Sequence, residues 1–207
     1  MTTIVAVQGN GFAVVCSDSR VVSLASEGSV GQISTLREGL GKVAVNGKYL
    51  LGAAGDVRAI NILHHAFTPP QPPVGIKGKK LDHFFTAKFI PVLRECFEHQ
   101  GYATPDKDDK HHIAEHESEV IVVLAGTIYI VDGDYSWYAD SSSMYALGSG
   151  SAYALGAMCA LAGSKKINNI TVNQAKAMCM RALNVASKHD PQTGPPFHTF
   201  VQESRHK

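Results

Sequence analysis

Met1-Thr2-Thr3-Ile4-Val5-Ala6-Val7-Gln8-Gly9-Asn10-Gly11-Phe12-Ala13-Val14-Val15-Cys16-Ser17-Asp18-Ser19-Arg20 is the stretch whose reading decides the fold. Two apolar runs, residues 4–7 and 12–16, flank a Gly-Asn-Gly turn that tolerates positive φ, so the stretch reads as a β-hairpin. A hairpin fixes the geometry between its start and its end. It holds Thr2 near whatever the Asp18 region touches. Thr2 follows the initiator Met directly, and removal of Met1 leaves a threonine with a free α-amino group.

Outward from this hairpin, residues 21–41 are polar and too irregular for a strand or helix. Residues 42–51 read as a second hairpin turning at Asn46-Gly47, which runs into Gly52-Ala53-Ala54-Gly55-Asp56. Small residues at a strand end let another group approach the backbone closely. Residues 57–67 carry Ile60, Leu63 and Phe67 on one helical stripe, and a proline-rich run over residues 68–73 stops it. Residues 81–97 resume a helix, with Phe85, Phe89, Val92, Leu93 and Cys96 on its buried face and a kink expected at Pro91.

The charged stretch 101–117 contains His111, His112 and His116, which read as solvated histidines rather than a metal site. Residues 120–124, 127–131 and 137–147 read as strands. Gly148-Ser149-Gly150-Ser151 opens an Ala-rich helix to about residue 161, and Thr171 with Gln174 forms a capping box before another. In that last helix Val172, Ala175, Cys179, Ala182 and Ala186 form the buried stripe. Residues 188–194 read as a loop and 197–202 as a final strand. Strands alternating with pairs of helices suggest two antiparallel sheets packed together with helices outside.

The bulk properties exclude several classes. A chain of 207 residues with 44% apolar content is large enough for one core without staples. A formal net charge of +1 gives no reason to expect nucleic acid or an anionic membrane as partner. Cys16, Cys96, Cys159 and Cys179 lack metal-ligand spacing and read as buried, reduced thiols of a cytoplasmic protein. No signal peptide and no membrane-spanning run is expected. The nucleotide-binding, Gly-x-Ser-x-Gly, Walker and His-Glu-x-x-His patterns are absent.

What remains is an N-terminal threonine. A threonine hydroxyl is a weak nucleophile that needs a base within reach. An α-amino group titrates at roughly pH 7.7–8.0, so one residue supplies both. Its β-branch restricts χ1 and holds the hydroxyl in place. Such a site wants a cation to favour the alkoxide, a carboxylate to hold that cation, and a backbone N–H facing the oxyanion. Lys42, Asp18 and the Gly52 region are the candidates. Singly, each has an ordinary reading: a common N-terminus, a strand-edge lysine, a turn former.

Together they resemble the N-terminal-nucleophile hydrolases of the proteasome β-subunit type, including the bacterial two-ring peptidase called heat-shock locus V. Thr2-Thr3-Ile4-Val5 leading to Ser17-Asp18-Ser19-Arg20 resembles the family opening. Lys42-Val43 leading to Gly52–Asp56 resembles its lysine strand and glycine turn. Residues 147–156 resemble its Gly-Ser-Gly-Ser segment, and Asp190-Pro191-Gln192-Thr193-Gly194 its Asp-x-x-Ser-Gly segment with Thr in place of Ser.

The resemblance implies a four-layer αββα sandwich spanning residues 1–207 as a single domain. It implies a threonine-dependent peptidase that needs no cofactor and forms an acyl-enzyme. Thr2 is then nucleophile and base, Asp18 and Lys42 its ion pair, and Gly52 the oxyanion donor. Ser149, Asp190 and Thr193 bracket the amine. The spacing between Asp18 and Lys42 is longer than the family pattern, and that between Lys42 and the glycine turn shorter. Arg37 and Lys48 therefore stand as rivals for the lysine, and Gly55 as a rival for Gly52. The resemblance further implies homo-oligomeric rings that enclose the sites, peptide or unfolded-protein substrates, an ATP-dependent unfoldase as possible feeder, and activation by methionine aminopeptidase without a propeptide. The competing readings are a ring- or shell-forming structural protein without activity and a small-molecule amidohydrolase of the same superfamily.

Overall fold

The computed structural model describes residues 2–24, 30–103, 115–164 and 166–204. The opening hairpin is present as β1 (Thr3–Gly9) and β2 (Phe12–Ser17), paired from Ile4↔Ser17 to Gly9↔Phe12. Gly11 supplies the positive φ of its turn. These two strands form the centre of a four-stranded sheet with β10 (Met144–Gly148) beside β1 and β11 (His198–Glu203) beside β2. A second sheet of five strands runs β5 (Val43–Asn46), β6 (Tyr49–Ala54), β7 (Glu119–Leu124), β8 (Thr127–Val131) and β9 (Trp137–Tyr138). All ladders are antiparallel.

Alternation along each strand sorts the side chains into three apolar layers. On β1, Val5 and Val7 face α4 (Ser151–Ala162) and α5 (Val172–His189), while Ile4 and Ala6 face the other sheet. On β6 and β7, Leu51, Ala53, Val120 and Val122 face α1 (Val57–His65), α2 (Lys79–Phe84) and α3 (Ile90–His99), while Leu50, Ala54, Ile121 and Val123 face inward. Three apolar layers need four layers of secondary structure, so the fold is an αββα sandwich.

Several expectations are corrected. Residues 20–24 and 30–35 are not irregular: β3 (Arg20–Leu24) and β4 (Val30–Thr35) form a separate two-stranded ribbon. Its described side chains are largely exposed, Ile33 among them, so no apolar alternation marks it in the sequence. The expected strand over 137–147 is two strands in different sheets. Asp140 accepts from the Ser142 N–H and Ser143 has a φ of 59°, and this turn breaks the run between them. Where a kink is expected at Pro91, a π-helical segment (Phe85–Phe89) joins α2 to α3, and the Ile90 N–H reaches back to the Phe85 carbonyl. The last helix runs through His189, so the following loop begins at Asp190. Of the four free cysteines only Cys16 and Cys179 are buried; Cys96 is half-buried and Cys159 is exposed on the outer side of α4. Val172 is likewise half-buried at the helix start. No helix among the described residues is long and apolar enough to cross a membrane.

The capping box of α5 is fully formed. The Thr171 hydroxyl accepts from the Gln174 N–H, and the Gln174 side chain accepts from the Thr171 N–H. Thr171→Ala is expected to cost about 1 kcal/mol, read as a fall in Tm of roughly 2–4 °C.

Candidate active site

Asp18 follows β2 and is fully buried, and its carboxylate is the most heavily engaged group in the molecule's centre. Oδ1 accepts from Lys42 Nζ at 2.6 Å and from the Thr3 N–H at 2.9 Å. Oδ2 accepts from the Arg20 N–H at 3.0 Å and the Gly194 N–H at 3.1 Å. A buried carboxylate is tolerable only when paired and hydrogen-bonded in this way. The hairpin therefore brings its far end back to its start, as the sequence pattern requires.

Lys42 stands just before β5 and is 1% exposed. Burial pushes its ammonium below its ordinary pKa, against the opposing pull of Asp18 and the more distant Asp190. A lysine so placed holds its proton less tightly than one in water. The rivals are elsewhere: Arg37 and Lys48 are both exposed.

Thr2 is 2% exposed. Strand alternation carried back from β1 places it on the face of Ile4 and Ala6, the inter-sheet side. Gly52 pairs with Val43, the residue after Lys42, and Ala53 N–H donates to the Lys42 carbonyl. A Cβ at Gly52 would lie 3.0 Å from Val43 Cγ2 and 3.1 Å from the Lys42 carbonyl oxygen. Gly55 has a different reason to be glycine. Its φ is 128° and a Cβ there would lie 2.6 Å from the Glu117 carbonyl oxygen, so it closes the turn against residues 117–118.

The two distant loops meet at the start of β1, one at the Thr2 carbonyl and the other at the Thr3 hydroxyl. Ser149 Oγ donates to Asp190 Oδ2 at 2.8 Å and lies 3.5 Å from the Thr2 carbonyl oxygen. Thr193 Oγ1 donates to the same Asp190 oxygen at 2.6 Å. Its proton being used there, the contact between the Thr193 and Thr3 hydroxyls runs from Thr3 to Thr193. Thr3 is the residue that sequence reasoning missed. Its hydroxyl joins the Asp190 relay and its N–H joins Asp18. The available signal was parity: if Thr2 faces the inter-sheet side, Thr3 faces the helices and the Asp190 loop.

No protein-family model matches the chain, and no curated protein matches its sequence. Solved structures do match. Thiobacillus denitrificans BPH in complex with epoxomicin superposes with a TM-score of 0.71 at 20% identity, covering 99% of this chain and 100% of that one. The same protein alone gives 0.69, again at 20% identity and covering 99% of each chain. HslV from Trypanosoma brucei gives 0.58 at 20% identity, covering 98% of this chain and 99% of that one. The chain has the N-terminal-nucleophile hydrolase fold of the proteasome β-subunit and HslV type.

In this Ntn fold a cavity of about 420 Å³ opens against Gly148 and Ser149, the two residues that lie on the Thr2 carbonyl. Gly148 and Ser149 form one wall, Ala54 and Gly55 another, and residues 116–119 a third. His116 is not solvated as expected but 5% exposed, because Phe97, Tyr102 and Tyr135 surround its ring. His111 and His112 lie outside the described residues.

The His116 Nδ1 accepts from the Ser118 N–H, and burial lowers its pKa from 6.5 to about 4. The folded state thus resists protonation between those values while the unfolded chain does not. Stability from this group is complete above about pH 6.5 and falls as pH drops towards 4, by about 3 kcal/mol in all. Urea titrations across that range are expected to show a shallower acid loss in His116→Phe than in the parent; identical slopes would refute the assignment.

Proposed function

We propose that this protein is a threonine peptidase with Thr2, exposed by removal of Met1, as nucleophile. The observation that carries the reading is the buried Lys42–Asp18 ion pair tied to the Thr3 N–H, directly behind the start of β1. A buried ion pair is a poor stabiliser compared with apolar packing, so its presence beside Thr2 calls for a chemical reason. The likeness in fold to a protein that binds epoxomicin supports the same reading.

In the proposed reaction the Thr2 hydroxyl attacks the scissile carbonyl and its proton passes to the Thr2 amine. Lys42 lowers the cost of the developing alkoxide, and Asp18 holds Lys42 in place. A backbone N–H of the glycine turn, at Gly52 or Gly55, faces the oxyanion. The amine then protonates the leaving group, and water hydrolyses the acyl-enzyme. Asp190, through Ser149 and Thr193, orients the Thr2 main chain.

The proposal extends to assembly. α4 contains no charged residue, and it exposes Tyr153, Leu155 and Leu161. An apolar helix face of that kind needs cover, and a homo-oligomeric ring that sequesters the site in the cytoplasm supplies it. An ATP-dependent unfoldase would deliver unfolded protein to such a chamber.

The test combines intact mass and a covalent probe. Protein from its native source is expected to lack Met1 and to gain one epoxomicin mass on Thr2. Thr2→Ala should gain none. Quantitative retention of Met1, or labelling that survives Thr2→Ala, would sink the reading.

A further inference from the structure

The cavity beside Thr2 carries charge of one sign. Glu117 and Glu119 both line it and both are exposed, whereas Ser118 and Val120 between and after them are buried. This alternation is that of an extended segment, so the two carboxylates share one side of the strap. Among the described residues no lysine or arginine lines the cavity.

We propose that this cavity receives a cationic side chain of the substrate, lysine or arginine, and that Glu117 and Glu119 set that preference. The inference rests on Thr2 being the nucleophile, because the cavity's position gives it its meaning. Gly148 pairs with Thr3, and Ser149 lies against the Thr2 carbonyl. Ala54 and Gly55 belong to the same glycine turn that this reading assigns to the oxyanion. A peptide with its scissile carbonyl at Thr2 therefore has a neighbouring side chain within reach of the carboxylates.

One of the two carboxylates, and the strap that bears both, is held in place. Glu119 Oε2 accepts from the Gly148 N–H at 3.3 Å, which ties the acidic strap to the wall next to Thr2. Ser118 anchors it from behind, accepting from the Asp56 N–H at 3.2 Å and meeting the Tyr102 hydroxyl at 2.7 Å. His116 lines the same cavity, and its buried Nε2 has no protein partner among the described residues. Its lowered pKa keeps it neutral at physiological pH, so it does not offset the two negative charges. A cavity of about 420 Å³ accommodates one long side chain, whose methylenes would lie along Ala54 and the glycines while its charged end stays wet.

The experiment measures binding to Thr2→Ala, so that no turnover is needed. Fluorescence anisotropy compares fluorescein-labelled Ala-Leu-Lys-Leu-Ala with the same peptide carrying glutamate in place of lysine. The dye caps the amino terminus, which leaves the side chain as the only cation. The lysine peptide is expected to bind about tenfold tighter at low salt, with the gap shrinking in 0.5 M salt as about one Debye length shrinks to a few ångströms. Glu117→Gln with Glu119→Gln should bring the two peptides within about twofold, and Glu117→Lys should invert the order. Equal binding of the two peptides by the parent, discrimination that survives the double substitution, or no binding of either at millimolar concentration would overturn the proposal. Failure of epoxomicin to label the unsubstituted chain would instead remove the nucleophile reading and leave this comparison intact.

Discussion

Lys42→Met is expected to lower stability by about 3–5 kcal/mol and to abolish peptide hydrolysis. The methionine fills nearly the same volume, so the cost is electrostatic rather than a cavity. Asp18 stays buried and fully enclosed, but its Oδ1 keeps only the Thr3 N–H of its two donors. Three backbone N–H groups still hold the carboxylate, which places the cost at the lower end of the range. Asp18→Asn should be similarly damaging for the reverse reason: it leaves the Lys42 ammonium buried beside a neutral amide, with an NH2 group turned towards at least one former donor. The double variant Lys42→Met, Asp18→Asn should recover part of the stability lost by either alone, because no unpaired charge remains. It should recover no activity. Urea denaturation and peptide kinetics on the four proteins separate the two roles. A Lys42→Met protein that cleaves peptides at the parent rate would show that the ion pair is structural only.

The parts of this fold that were legible in the sequence are those in which one strand face is apolar and the turn chemistry is local. β1 and β2, β5 and β6, and β7 and β8 each meet around a glycine-containing turn, and their alternation sorts directly into the three apolar layers. β3 and β4 fail that criterion because Val22 alone is buried among their described side chains and Ile33 is exposed. The run over 137–147 fails for another reason: Asp140-Ser141-Ser142-Ser143 within it is a turn-forming cluster, and that turn sends the two ends to different sheets. The site divides in the same way. Asp18 is placed by a hairpin and so by local pattern. Lys42 is set apart from Arg37 and Lys48 by its burial and its ion pair with Asp18, neither of which its sequence neighbours mark. His116 could not be placed from its neighbours at all, because Phe97, Tyr102 and Tyr135 that enclose it come from three other segments.

Gly148→Ala is expected to be the most damaging single methyl addition in the site. The φ of Gly148 is 87°, a region in which an L side chain is strained, and an added Cβ would lie 1.9 Å from the Thr2 carbonyl oxygen and 3.3 Å from Ala54 Cβ. The overlap is with backbone, so no rotamer change relieves it. Either β10 withdraws, breaking its pairing with Thr3, or Thr2 moves. Both displace the proposed nucleophile from Lys42, and misplacement of a reacting group by about 1 Å costs on the order of 100-fold in rate. Stability should fall by about 2–4 kcal/mol, from strain and overpacking together. Gly163→Ala is the control, because its φ is 53° but nothing lies within 4 Å of an added Cβ. It carries the strain without the clash, so it should lose about 1 kcal/mol and no activity. Measured side by side by urea denaturation and kcat/KM, the two substitutions distinguish a glycine needed for its backbone from one needed for its emptiness. If Gly148→Ala loses no more than Gly163→Ala and still cleaves peptides, Thr2 does not sit where the reaction requires it.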